Sequence, residues 1–113
     1  WSGRSALDGV ELMNIATNYL REHLFYTQRL HYVVTEGGEA PNVVPDFAEV
    51  RYMIRHPDIT ELKDMWARIG KAAEGAAMGT GTRVEIEFST STFKIRRSTN
   101  PSEINKFINA YII

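Results

Sequence analysis

Apolar positions recur along the chain with two different periods, and the switches between them mark the elements. Leu7, Val10, Met13, Ile15, Ala16, Tyr19, Leu20 and Leu24 form a broad stripe at helical spacing, predicting a helix to about His23. Ser5-Ala6-Leu7-Asp8 reads as a capping box, in which the Ser5 hydroxyl and Asp8 carboxylate satisfy the first free amides. From Arg29 to Thr35 the period falls to two, with Leu30, Tyr32 and Val34 set against His31, Val33 and Thr35. A second alternation spans Phe47–Arg55. Ala48, Val50, Tyr52 and Ile54 share one side, and Phe47, Glu49, Arg51, Met53 and Arg55 the other. Pro57 stops this strand, because its ring disfavours the helical region at His56.

Asp58-Ile59-Thr60-Glu61 is a second capping box. The helix it opens keeps Leu62, Met65, Trp66, Ile69, Ala73, Ala76 and Ala77 inside; Gly75 weakens it, and Gly79 and Gly81 end it. Val84, Ile86 and Phe88 then alternate with Arg83, Glu85 and Glu87 in a third strand. Ser89–Arg97 fits either a strand, through Phe93 and Ile95, or a solvated basic tail carrying Lys94, Arg96 and Arg97. Asn100-Pro101-Ser102-Glu103 predicts the cap of a last helix, with Ile104, Phe107, Ile108 and Tyr111 on one side.

The order α-β-β-α-β-α predicts an α+β domain: a ferredoxin-like antiparallel sheet with helices on one face, lacking its first strand, plus a C-terminal helix. The polar side of the sheet would carry Glu49, Arg51, Arg55, Glu85 and Glu87. In that arrangement the first strand is central, so its absence leaves two strands with unpaired edges. Phe93–Arg97, a neighbouring chain or rearranged pairing could close the gap, and the pattern does not choose among them.

Composition narrows the function classes. The 113 residues give room for one domain and one modest core. A formal net charge of −1 offers no attraction for nucleic acid or an anionic membrane. There are no cysteines, which removes disulfides, thiolate nucleophiles and cysteine metal sites. No apolar run approaches the roughly 20 residues that cross a bilayer. The chain opens on Trp1 without a methionine or signal-like segment, so its native beginning is expected upstream.

The loop ahead of the second strand is dense in turn chemistry: Gly37-Gly38, Pro41-Asn42 and Pro45-Asp46. It holds Asn42, and Arg55 follows thirteen residues later near the strand end. A planar guanidinium fork and a side-chain amide suit recognition of a carboxylate or amide. The plainer readings are a surface ion pair of Arg55 with Glu49, Glu85 or Glu87, worth about 0–1 kcal/mol, and Asn42 as an ordinary turn residue. His23, His31 and His56 show no metal-ligand spacing, and no Ser-His-Asp set can be assembled. Gly79-Thr80-Gly81 lacks the Gly and Lys of a phosphate loop. No catalytic residue is assigned, and the chain alone is expected to catalyse nothing.

The stretch Gly37-Gly38, Asn42-Val43-Val44-Pro45 and the strand ending at Arg55 resembles the small domain of the M20 family of metallopeptidases and amidohydrolases. The upstream segment GRSALDGVELMNIATNYLREH strengthens the likeness, which runs from about Gly3 to Phe88. The resemblance implies a non-catalytic lid and dimerisation domain of a cytoplasmic enzyme. That enzyme would hydrolyse the amide bond of N-acyl or aminobenzoyl amino-acid conjugates, with zinc or another divalent metal held in a separate catalytic domain. It also implies that Asn42 and Arg55 contact substrate across a homodimer, binding its carboxylate and the developing oxyanion. The family's His, Asp and Glu metal motifs do not occur here. A free-standing ferredoxin-like regulatory domain binding a small carboxylate is the alternative. An RNA-binding domain of the same topology fits worse, since the exposed sheet face lacks stacking aromatics and a basic field.

Overall fold

The computed structural model describes residues 2–89 and 104–112. Its elements are helix α1 (Ala6–Leu20), a short 3-10 turn (Arg21–His23), strands β1 (Arg29–Glu36) and β2 (Ala48–His56), helix α2 (Ile59–Thr80), and strands β3 (Val84–Ser89) and β4 (Ile104–Ile112). The α+β class expected from the pattern is present. Ser5 caps α1, its Oγ accepting from the Asp8 amide at 3.3 Å. Asp58 caps α2 through Oδ1, which accepts from the Thr60 amide at 2.7 Å. Glu61 does not complete the second box among the described residues; its Oε2 instead accepts from Gln28 Nε2 at 3.3 Å.

Helix α2 runs through Gly79 and stops at Gly81, which adopts φ +66°. The Thr82 amide returns to Ala77 O at 2.9 Å and the Gly81 amide to Met78 O, the double closure that a left-handed residue permits. Gly79 stays within the helix, close to α1. A Cβ on it would lie 3.4 Å from Leu12 Cδ2.

The C-terminal helix expected over residues 100–111 is a strand instead. β4 pairs antiparallel with β2 on one side and β3 on the other, in the sheet order β1-β2-β4-β3. This position is the one that the first strand holds in a ferredoxin-like unit. The gap is therefore filled from within the chain. Ile104, Phe107, Ile108 and Tyr111 match a helical stripe, yet Ile, Phe and Tyr are equally strand formers and the two Asn residues favour neither state. Two facing ladders of unpaired N–H and C=O groups decide the matter, since each unpaired buried group costs as much as a lost hydrogen bond. Phe93–Arg97 and the expected cap at Asn100–Glu103 lie outside the described residues.

Both helices cover one face of the sheet. Val10 and Met13 of α1 and Leu62, Met65, Ile69 and Ala73 of α2 close over Leu30, Ala48, Val50, Tyr52 and Ile54. Among the described residues Tyr52 is the largest side chain fully enclosed. Its hydroxyl donates to Asn14 Oδ1, and its ring tilts 40° against Tyr32 at 5.2 Å. Asn18 Nδ2 donates to the Tyr32 hydroxyl at 3.2 Å, and Arg21 Nε to Asn18 Oδ1 at 3.0 Å. A polar seam thus joins α1 to the two central tyrosines of the β1–β2 pair.

Burial pushes the Tyr52 phenol well above its ordinary range, with Thr17 and Arg21 opposing and Tyr32 reinforcing the shift. A phenol whose folded pKa is raised stabilises the fold below its unfolded pKa and loses that contribution as pH climbs towards the folded value. Tyr52→Phe is expected to cost about 1–3 kcal/mol at neutral pH, because Asn14 Oδ1 loses its donor. In denaturant unfolding the gap between wild type and this variant should narrow above about pH 10, by about 1.4 kcal/mol per pH unit. A gap constant to pH 11 would refute the assignment.

Candidate functional site

The loop between β1 and β2 is built around two fixed points. Gly38 takes φ +113°, and a Cβ there would meet Pro45 Cγ at 2.8 Å, so only glycine fits. The Ala6 amide donates to Pro45 O at 2.9 Å, fastening the far side of the loop to the first residue of α1. Between these points Ala40–Val43 close a turn, the Val43 amide reaching Ala40 O at 3.1 Å with Pro41 and Asn42 at its centre. The result is a groove of about 610 Å³ between the loop and the start of α1, lined by Ser5, Asp8, Gly38, Asn42 and their neighbours. Asn42 is exposed at its lip. No hydrogen bond of its side chain to another described residue is seen, so the turn does not consume the amide.

Arg55 sits near the other end of β2. Its residue is half-buried, and Nε is withdrawn from solvent without a hydrogen-bond partner among the described residues. Two of the three acidic side chains proposed as its surface partners are engaged elsewhere. Glu85 faces Arg83 at 3.6 Å, and Glu49 Oε1 accepts from Thr35 Oγ1 at 2.5 Å. The Thr35 contact sits where the β1–β2 register slips between Val34 and Glu36.

The structure does not bring Asn42 and Arg55 together. Seven residue steps of strand separate Ala48 from Arg55, about 23 Å at the usual rise, and Asn42 lies beyond Ala48. One copy of the chain cannot place both side chains on one small ligand.

Two features near Arg55 escape a reading of the sequence. Arg29 stands directly opposite it in the β1–β2 register. His56 Nδ1 accepts from the Asp58 amide at 3.0 Å, which leaves the proton on Nε2 to be donated to Thr27 Oγ1 at 2.9 Å. That bond ties the segment before β1 to the end of β2. The only signal that could have found the Arg29–Arg55 pairing is the strand register, and the long loop hides it. A short hairpin would have fixed it by counting.

His23, His31 and His56 lie on separate elements, and among the described residues no three His, Asp or Glu side chains gather as metal ligands. Among the described residues no helix is long and apolar enough to cross a membrane.

No family model matches the chain. Curated proteins do. A component of the p-aminobenzoyl-glutamate hydrolase of Escherichia coli (strain K12) is 51% identical over 87 residues, covering 76% of this chain and 18% of that protein. Xaa-Arg dipeptidase of Mus musculus is 33% identical over 87 residues, 77% of this chain and 20% of its own length. The Homo sapiens Xaa-Arg dipeptidase is 31% identical with the same coverage. The chain belongs to the M20 family. It spans about a fifth of the length of these relatives. The M20 resemblance carried by the loop, the strand after it and the upstream helix segment therefore stands.

The loop geometry carries a direct test. Gly38→Ala is expected to destabilise the chain by about 1–3 kcal/mol through backbone strain and the Pro45 clash. Gly75→Ala, with open space around it in mid-helix, should stabilise by about 0.5–1 kcal/mol. Equal effects of the two substitutions in denaturant unfolding would show that the Gly38 turn is not under constraint.

Proposed function

We propose that this chain is the non-catalytic, substrate-covering and dimerisation domain of an M20-type amidohydrolase. Its enzyme would split the amide bond of an N-acyl or aminobenzoyl amino-acid conjugate. The divalent metal such hydrolases use would be held by another lobe. The observation that carries this reading is the state of Arg55. A guanidinium whose Nε is buried without a partner among the described residues is a donor set waiting for an acceptor. A carboxylate supplies the matching geometry and charge.

Because Asn42 and Arg55 lie at opposite ends of β2, they act on one ligand only if two copies of the chain contribute, one residue from each. Two separate features support such pairing. β1 is the outer strand of the sheet, with one backbone edge unpaired among the described residues. Leu12, Ile15 and Tyr19 on α1 are 39, 48 and 72% exposed, an apolar surface that the core does not use.

In the full-length hydrolase, Arg55→Ala is expected to lower kcat/KM about ten- to a hundredfold, the equivalent of a charged hydrogen bond of about 1.5–3 kcal/mol. Wild-type kinetics would reduce Arg55 to a surface charge and remove the site. The 113-residue chain itself should self-associate in sedimentation at high micromolar concentration. Ile15→Lys should weaken that association, and a strictly monomeric wild-type profile would count against the dimer.

A further inference from the structure

The β1–β2 register sets two arginines face to face. Arg29 is the direct cross-strand partner of Arg55, next to the buried Leu30–Ile54 pair, so both side chains leave from the sheet face opposite the helices. Like charges opposite one another destabilise a sheet, so such a pair is costly without an anion to balance it. Among the described residues neither guanidinium forms part of the Arg68–Asp64 or Arg83–Glu85 ion pairs. The hydrogen bonds that hold Arg29 go to backbone carbonyls. Its Nη1 donates to Tyr26 O and to Gln28 O at 3.0 Å, contacts that orient the fork and leave its charge in place. The Thr27–His56 hydrogen bond fixes the segment bearing those carbonyls to the end of β2. Arg55 adds the buried Nε that has no partner among the described residues.

We infer that Arg29 and Arg55 form a two-guanidinium site that selects amino-acid conjugates carrying a second carboxylate. This rests on the reading of Arg55 as the carboxylate contact, and deepens it. Opposed residues on one face have Cβ atoms about 4.5–5.5 Å apart, so both long side chains start within reach of one small dicarboxylate. Arg55 takes the α-carboxylate, and Arg29 takes the side-chain carboxylate. Arg29 is thus a specificity-determining residue, whereas Arg55 is required whatever the side chain.

The test uses the full-length hydrolase with aminobenzoyl-glutamate and its isosteric glutamine analogue as substrates. Arg29→Ala should raise KM for the glutamate conjugate about tenfold or more with kcat little changed, and leave KM for the glutamine conjugate unaltered. Arg29→Lys, which keeps charge without the fork, should recover part of the loss. Arg55→Ala should impair both substrates. An Arg29→Ala enzyme that handles both substrates like wild type, or is impaired equally on both, overturns the selectivity while the Arg55 result stands by itself. If Arg55→Ala is also silent, the carboxylate reading falls with it.

Discussion

The whole arrangement depends on one backbone constraint, the pairing of the inner edge of β2. That edge and the edge of β3 face each other across a gap one strand wide, and β4 satisfies both ladders at once. With the gap filled, Val50, Tyr52 and Ile54 become central positions of a four-stranded sheet, and the two helices have a continuous floor to cover. The outer strands β1 and β3 then remain as the sheet edges among the described residues. Core and edges both follow from where that one strand is seated.

Much of this is legible in the residues. The caps at Ser5 and Asp58, the alternations that form β1, β2 and β3, and the packing of both helices on one face come from local chemistry and period, which a single chain displays openly. The last element departs from its pattern for an identifiable reason. Ile104, Phe107, Ile108 and Tyr111 satisfy helical spacing, and nothing local says that a sheet elsewhere lacks its middle strand. Tertiary demand outweighs pattern there, as it does wherever a short apolar run fits two periods.

The candidate site is half legible. Asn42 and Arg55 stand out by residue type and by the loop and strand around them, and the M20 relatives share this stretch of chain. Their mutual distance does not stand out, because a separation of thirteen residues means little until the intervening stretch is known to be extended. Nor does Arg29, whose relation to Arg55 exists only through the register of two strands joined by an eleven-residue loop. Contacts across a sheet are properties of pairing, and sequence spacing alone does not record them.

The amide of Ala6, bonded to Pro45 O, is at once the start of a helix and the hinge of a loop. Any widening of the groove beside Asn42 would take the Pro45 carbonyl away from the Ala6 N–H and leave that donor without its acceptor. Movement of the loop and the satisfaction of the first free amide of α1 are therefore coupled through a single bond.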